Sequence, residues 1–373
     1  MSTSWPGTTR ARVVRWPAAA LLAALVAVML VVDSGSDGGE VSGLEIERAV
    51  VPTAGSAESL SSTWYCAAGT IVEGGPADHE LIIGNPSSRV AVVDLTVFSV
   101  LAPTPIEVNL ETDAEIGAEL ALTPPEAVDL GSVTDTLTVD PRSVMRIRVG
   151  DLEGVGGEHA AVLVESNVGD MLVEHIVTGD VGTGAAPCAS SSASSWYFPA
   201  GSTRKGAREI LSIFNPFPGD AVVDMTFVTE AGSRSPQIYD GLVVPSGTVL
   251  PVDITGVVTL FDLVSADIQV RTGRVITERL LLFDGSEGPG GLSVTVGTPL
   301  ASTVWVMPSS APSGSVDAIV IHNPSSDEEA RVDVEVHLDV PEFNGTVEPI
   351  EVTVRPGRTE TVVLSGDAGL VSA

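Results

Sequence analysis

A chain of 373 residues is long enough for two or three domains of ordinary size, each burying a core of its own. Its 18 Lys plus Arg against 49 Asp plus Glu give a net charge of -31, which repels phosphate backbones and excludes nucleic acid as a partner. Hydrophobic residues make up 44% of the chain and the acids fall on polar positions of apolar-rich segments, so the charge decorates folded faces and does not mark disorder. Lys205 supplies the sole ammonium side chain, the other cations being Arg, a coding bias.

In chain order, residues 1–15 form a short basic tail with Arg10, Arg12 and Arg15, and residues 16–32 then run without a charge up to Asp33. Seventeen residues reach roughly 25 Å as a helix, the short end of what spans a bilayer core. Cations on the N-terminal flank predict a signal-anchor with the N-terminus cytoplasmic and the bulk outside. A cleavable signal peptide is the competing reading; the lack of a clean small-x-small site before Asp33 favours the uncleaved anchor. Residues 33–60, rich in Gly, Ser and acids, read as a flexible stalk.

Beyond the stalk the chain repeats itself. STWYCAAG at Trp64, SSWYFPAG at Trp196 and STVWVMP at Trp305 each open a repeat, and each is followed by a short apolar strand ending in Asn-Pro: Asn85-Pro86, Asn215-Pro216 and Asn323-Pro324. An alternating strand comes next, VAVVDLTVFSV, AVVDMTFV or ARVDVEVHLDV, with period two and acids on its polar face. A Pro-marked turn at Pro141, Pro245 or Pro356 leads into another strand. Two further strands, joined by a Gly-bearing turn, close the first two repeats as a hairpin. Roughly seven short strands per 110 to 130 residues, with regular turn signals and no amphipathic helical window, predict an all-β fold of tandem immunoglobulin-like β-sandwiches.

The expected boundaries are 61–189, 190–299 and 300–373. The first repeat carries an insertion near residues 102–131, the place for a special surface. The third stops at GLVSA, where the second has DLVSA before its closing strands, and so reads as incomplete. Either it is a truncated copy or a partner strand completes it, because an unpaired edge is something natural sheets avoid.

Cys66 and Cys188 are the only cysteines, and an even count in an exported chain predicts one disulfide, clamping the first repeat's start to its end. Two buried free thiols are the alternative. No G-x-S-x-G elbow, Walker loop, H-E-x-x-H or paired C-x-x-C occurs, and His79, His159, His175, His322 and His337 stand apart in sequence. Glu335, His337 and Asp339 alternate on one strand face, but same-face neighbours lie about 6.6 Å apart, so a solvated face is the better reading than a metal site. Glu174 and Glu278 fall at equivalent places in two repeats, which suggests a shared cross-strand or capping role. The aromatics at the repeat openings, Trp64, Tyr65, Trp196, Tyr197 and Trp305, occupy a common position and read as core before sugar platform. Asn344-Gly345-Thr346 fits the N-glycosylation pattern, with little weight in a bacterial-looking composition.

The WYC opening, the Asn-Pro strand, the Pro-Gly turn and the late V-x-x-E-R strand resemble an uncharacterised actinobacterial family of anchored, exported proteins of unknown function, over residues from about 60 to the end. The resemblance brings no catalytic residues with it. The chain departs from it in the incomplete third repeat and in Met307, which stands where the first repeat has Cys66. The expected function is a non-enzymatic scaffold or protein-interaction module at the plasma membrane, a single-pass component of the cell envelope with no cofactor. Its partners are the membrane through the N-terminal helix and envelope proteins or wall glycan. The alternative is a cell-wall glycan-binding module.

Overall fold

The computed structural model describes residues 52–56, 58–103, 124–307, 316–336 and 348–365. The tail 1–15, the apolar run 16–32 and most of the stalk lie outside them, as do residues 104–123 of the insertion, His337, Asp339 and Asn344. Among the described residues no helix is long and apolar enough to cross a membrane.

Among the described residues the chain is all-β, in small antiparallel sheets. The first repeat gives β1 (Ser62–Cys66), β2 (Asp78–Asn85), β3 (Ala91–Leu101), β4 (Val128–Val139), β5 (Ser143–Arg148), β6 (His159–Ser166), β7 (Leu172–Gly179) and β8 (Gly182–Pro187). They form two four-stranded sheets, β1-β6-β3-β4 and β5-β2-β7-β8. Alternate residues of β2 and β3 are buried, so Leu81 and Ile83 share one core with Trp64, Val93, Leu95, Val164 and Val173. Each such aliphatic side chain stabilises the fold by about 1.5–3 kcal/mol. A disulfide joins Cys66 to Cys188 across a sequence separation of 122. On the chain-entropy account, closing a loop that long contributes roughly 4–5 kcal/mol.

The second repeat gives β9 (Ser195–Gly201), β10 (Ala207–Asn215), β11 (Ala221–Thr229), β12 (Gly232–Arg234), β13 (Leu242–Val244), β14 (Thr248–Asp253), β15 (Val264–Thr272), β16 (Ile276–Phe283) and β17 (Gly291–Val296). Its sheets are β12-β11-β15-β9, with β13 also on β11, and β14-β10-β16-β17. The third gives β18 (Val316–Asn323), β19 (Ala330–Val334), β20 (Ile350–Val354) and β21 (Arg358–Ser365), paired as β18-β21 and β19-β20.

The Asn-Pro motif explains the common register. Each Asn ends its strand buried and ties a corner with its side-chain amide. Asn85 Nδ2 donates to the carbonyls of Arg89, Val139 and Asp140, Asn215 Nδ2 to those of Gly219, Val244 and Pro245, and Asn323 Nδ2 to those of Glu328 and Val354. The Oδ1 atoms accept the N–H two residues on, from Ser87, Phe217 and Ser325. The intervening Pro86, Pro216 and Pro324 have no N–H to place and fix φ for the turn. One side chain thereby satisfies main-chain groups that a buried corner would otherwise orphan.

The two closing strands differ from the expected hairpin. β6 pairs with β1 and β3, whereas β7 pairs with β2 and β8; likewise β15 joins β9 and β11, and β16 joins β10 and β17. The chain arches from one sheet to the other, with Val168 and Met171 buried in the first arch and Val275 in the second. Those apolar side chains are what hold the turn between the sheets and prevent the strands from pairing with each other.

Candidate functional site at the repeat joints

Counting back from the Asn-Pro corner locates the chemistry-bearing residues. Six residues before Asn85 stands His79, and six before Asn215 stands Glu209; both lie on the inward parity of an apolar strand and neither is solvent-exposed. Opposite, β7 pairs His175 with Leu81 and β16 pairs Arg279 with Leu211, the same register in both repeats. Each of the first two repeats therefore hides an ionisable pair. His175 Nδ1 and His79 Nε2 share a hydrogen bond at 3.1 Å, while Arg279 Nη1 lies 3.8 Å from Glu209 Oε1 and its guanidinium sits over the Phe198 ring.

Glycine makes the room. A Cβ on Gly69 would collide with the His79 ring, and one on Gly201 with the Glu209 carboxylate. That is why the openings CAAG and FPAG both end in Gly. The next residue, Ser202, donates its N–H to Glu209 Oε2 at 2.9 Å.

On the outward parity, Glu174 and Glu278 also share a register, facing Ile82 and Ser212, yet Glu174 is exposed and Glu278 is fully buried. The common role read from the sequence is therefore not what they have. Glu278 reaches into the first repeat, where its Oε2 accepts the N–H groups of Ala67 and Ala68, each at 2.8 Å, and lies 3.5 Å from His175 Nε2. Burial pushes the Glu278 carboxyl up to about 8, against the pull of the two backbone N–H groups. Burial also raises Glu209 to about 7, opposed by the Arg279 charge, and lowers His79 to about 4. His175 is driven well below the usual imidazole range by burial and by the His79 beside it. His79, His175 and Glu278 thus form a run of polar groups across the joint, able to share protons but closed to any substrate.

The first joint is otherwise apolar. Phe214, one residue before Asn215, has its ring 5.1 Å from that of Phe98 and 6.5 Å from that of Tyr65. With Val249, Ile276, Ala161 and Leu163 they belong to a single core that runs through both repeats.

The second joint is polar. His322, one residue before Asn323, bonds Asp267 Oδ1 through Nε2 at 2.8 Å and Thr359 Oγ1 through Nδ1 at 3.0 Å. Thr359 Oγ1 in turn meets Ser265 Oγ at 2.8 Å, and Ser265 donates to the Pro199 carbonyl. Acid, imidazole and hydroxyl stand in the order of an acyl-transfer relay. The Thr359 hydroxyl, however, is bracketed by His322 and Ser265, and Ser265 is fully buried, so the row acts as a hydrogen-bonded clip between β15 and the β18-β21 pair.

Of the residues singled out from sequence, Trp64 and Trp196 are buried at 3% and 2% exposure, Trp196 donating its indole N–H to the Val275 carbonyl, whereas Trp305 is 48% exposed. Among the described residues no three His, Cys, Asp or Glu side chains are grouped to hold a metal ion. Sequence reasoning passed over the two inward pairs and the Asp267-His322-Thr359 row. For the inward pairs the signal was present as a polar residue on the buried parity of an otherwise apolar strand, at a fixed count from Asn-Pro; His322, one residue before Asn323, lies on the other parity and carried no such signal.

An all-β protein with repeated strand register and ionisable groups sealed into its joints is the class defined by these features. Within it, residues 172–277, from β7 into β16, match a family described as a family of unknown function (DUF5719), consistent with an uncharacterised domain family. No curated protein matches the chain in sequence. Among solved structures, Thermotoga maritima 1070 is similar at 14% identity over 34% of this chain and 91% of its own, with a TM-score of 0.23. Red sea bream transglutaminase is similar at 12% identity over 65% of this chain and 32% of its own, with a TM-score of 0.14. Both are too distant in fold to bear on what this chain does.

Proposed function

We propose that the chain is a non-enzymatic, membrane-anchored scaffold of the cell envelope, a string of immunoglobulin-like sandwiches over 61–189, 190–299 and 300–373. In this reading residues 16–32 anchor it and the repeats are displayed outside. The observation that carries it is the reuse of one strand row at both joints: the residues before Asn215 and Asn323, with their β14 and β21 neighbours, each meet the preceding repeat. Stacking by a repeated contact suits a spacer, and its ionisable groups are spent on holding the joints. The Cys66–Cys188 disulfide fits an oxidising compartment. Crosslinking mass spectrometry on intact cells is expected to recover exported or membrane proteins on the repeats; crosslinks to cytosolic proteins would overturn the orientation.

A glycan-binding role is the second reading, and the exposed Trp305 favours it over the buried Trp64 and Trp196. Trp305→Ala is then expected to abolish retention on isolated cell wall. Unchanged retention removes that platform.

A further inference from the structure

The Asn-Pro corner of the first repeat closes over an Asp-Pro bond. In the three repeats the turn beside the buried Asn reads Asp140-Pro141-Arg142, Pro245-Ser246-Gly247 and Arg355-Pro356-Gly357. The third residue of each stands at positive φ, 53° at Arg142, 66° at Gly247 and 57° at Gly357. That is the left-handed region, which glycine enters freely and an L side chain rarely adopts. The first repeat departs from Gly there and so places backbone strain directly after its Asp-Pro bond.

The Asp140 carbonyl oxygen is held by two side chains. Ser143 Oγ donates to it at 2.7 Å and Asn85 Nδ2 at 3.1 Å. Asn85 is aimed by Ser87, whose N–H and Oγ both donate to Asn85 Oδ1, so the amide nitrogen has to face the carbonyls. Upstream, Val139 is fully buried and paired with Ala91; downstream, Arg142 donates its N–H to the Ser87 carbonyl. The bond between them is therefore fixed at both ends, while Asp140 and Pro141 themselves are open to water.

Donors fixed on a carbonyl oxygen stabilise the oxyanion that forms when a nucleophile adds to the carbon. The second repeat has the same donors without the nucleophile: Thr248 Oγ1 and Asn215 Nδ2 lie 3.1 Å and 3.2 Å from the Pro245 carbonyl oxygen, and a proline side chain cannot attack. In the first repeat the same place carries a carboxyl, which can close a five-membered ring on its own carbonyl carbon. The leaving atom is a proline nitrogen, more basic than that of an ordinary amide. It has no N–H, which shuts the competing route to a cyclic imide.

We propose that the Asp140–Pro141 peptide bond is a self-cleavage site, its carbonyl activated by Ser143 and Asn85. An Asp140 carboxyl oxygen adds to the main-chain carbonyl carbon of the same residue. The carbon–nitrogen bond then breaks, its electron pair goes to the Pro141 nitrogen, and that nitrogen takes up the carboxyl proton. The cyclic anhydride left on residue 140 is opened by one water, giving a C-terminal Asp140 and an N-terminal Pro141. The cut falls between Cys66 and Cys188, so the disulfide keeps both halves in one molecule and becomes their only covalent link. Neither a membrane nor a partner is needed.

The test incubates the purified full chain under mildly acidic conditions and reads it by gel and mass spectrometry, with and without reductant. Without reductant the chain is expected to stay single and to gain the mass of one water; with it, two fragments should appear, one ending at Asp140 and one beginning at Pro141. The same chain unfolded in urea, its disulfide intact, is expected to be cut about tenfold more slowly, as is folded Ser143→Ala. Asp140→Ala should not be cut at all, and Arg142→Gly should be cut more slowly than the parent. No cleavage, cleavage at another bond, cleavage that persists in Asp140→Ala, or equal rates in the folded and unfolded chain would each overturn the assignment. The unfolded chain needs no substitution, so it decides the matter even where a variant folds poorly.

Discussion

The two joints use the same backbone positions and opposite chemistry. At the first, Phe214 and Val249 meet Ala161 and Leu163; at the second, His322 and Thr359 meet Ser265 and Asp267, the same four places by register. All four have changed from apolar to polar together. A polar group facing an apolar one would be left without a partner, which costs about 1–3 kcal/mol per buried group, so intermediate combinations are disfavoured. The apolar joint gains strength from buried area and tolerates small shifts. The polar joint holds only in the geometry that completes its hydrogen bonds, which makes it specific and easier to disrupt.

The largest effect is expected from Phe214→Ala, which removes the ring shared by both repeats. It should lower stability by about 3–5 kcal/mol in denaturant melts and split one transition into two. A single transition of unchanged midpoint would mean that the repeats do not share a core. Next comes Glu278→Ala, which orphans the N–H groups of Ala67 and Ala68 and should cost about 2–3 kcal/mol.

The same carboxyl makes the first joint sensitive to pH. Glu278 is raised from 4.5 to about 8 in the folded chain, so folding favours its protonated form; its contribution is complete below pH 4.5 and is lost as pH rises through 8. Glu209 works in the same direction up to about 7. His79 works in the other, lowered from 6.5 to about 4, so its contribution is lost as pH falls through that window. Between pH 6.5 and 8 the carboxyls alone act, and stability should decline. Glu278→Gln, which keeps an acceptor but cannot ionise, is expected to flatten that decline, and an unchanged slope would assign it to other groups.

The smallest single effect belongs to the second joint. Thr359→Val should loosen the third repeat by about 1–2 kcal/mol, seen as faster amide exchange in β21 with the first two repeats unaffected. Converting the joint wholesale, with Ser265→Ala, Asp267→Leu, His322→Phe and Thr359→Val together, should recover or exceed the original protection. If the fourfold variant is worse than the single one, the correspondence between the joints is wrong.

The strands were legible in the sequence because most have one buried face, and alternation such as that of Ala91–Leu101 reports it directly. The Asn-Pro corners were legible as punctuation but not as amides tying carbonyls from distant strands, since the partners of Asn215 at Val244 and Pro245 are about thirty residues away. Pairing was harder still. Periodicity says which face of a strand is covered, not which strand lies beside it, and so the closing strands looked like a hairpin when they in fact cross between sheets. β16 shows the limit best: Ile276 through Leu280 are all buried, one parity by its own core and the other by the neighbouring repeat, and no pattern within the strand distinguishes Glu278 from Glu174.

The bond between Cys66 and Cys188 also decides how the chain bears tension. A pull applied through the ends enters the first repeat at Cys66 and leaves at Cys188, bypassing everything between, whereas the second repeat has no such shunt. Stretched under oxidising conditions, the first repeat therefore gives up almost no length even if its sheets come apart. Reduction frees the 122-residue separation, worth roughly 400 Å of contour at about 3.4 Å per residue, so a single thiol exchange turns the part of the chain that cannot lengthen into the part that lengthens most.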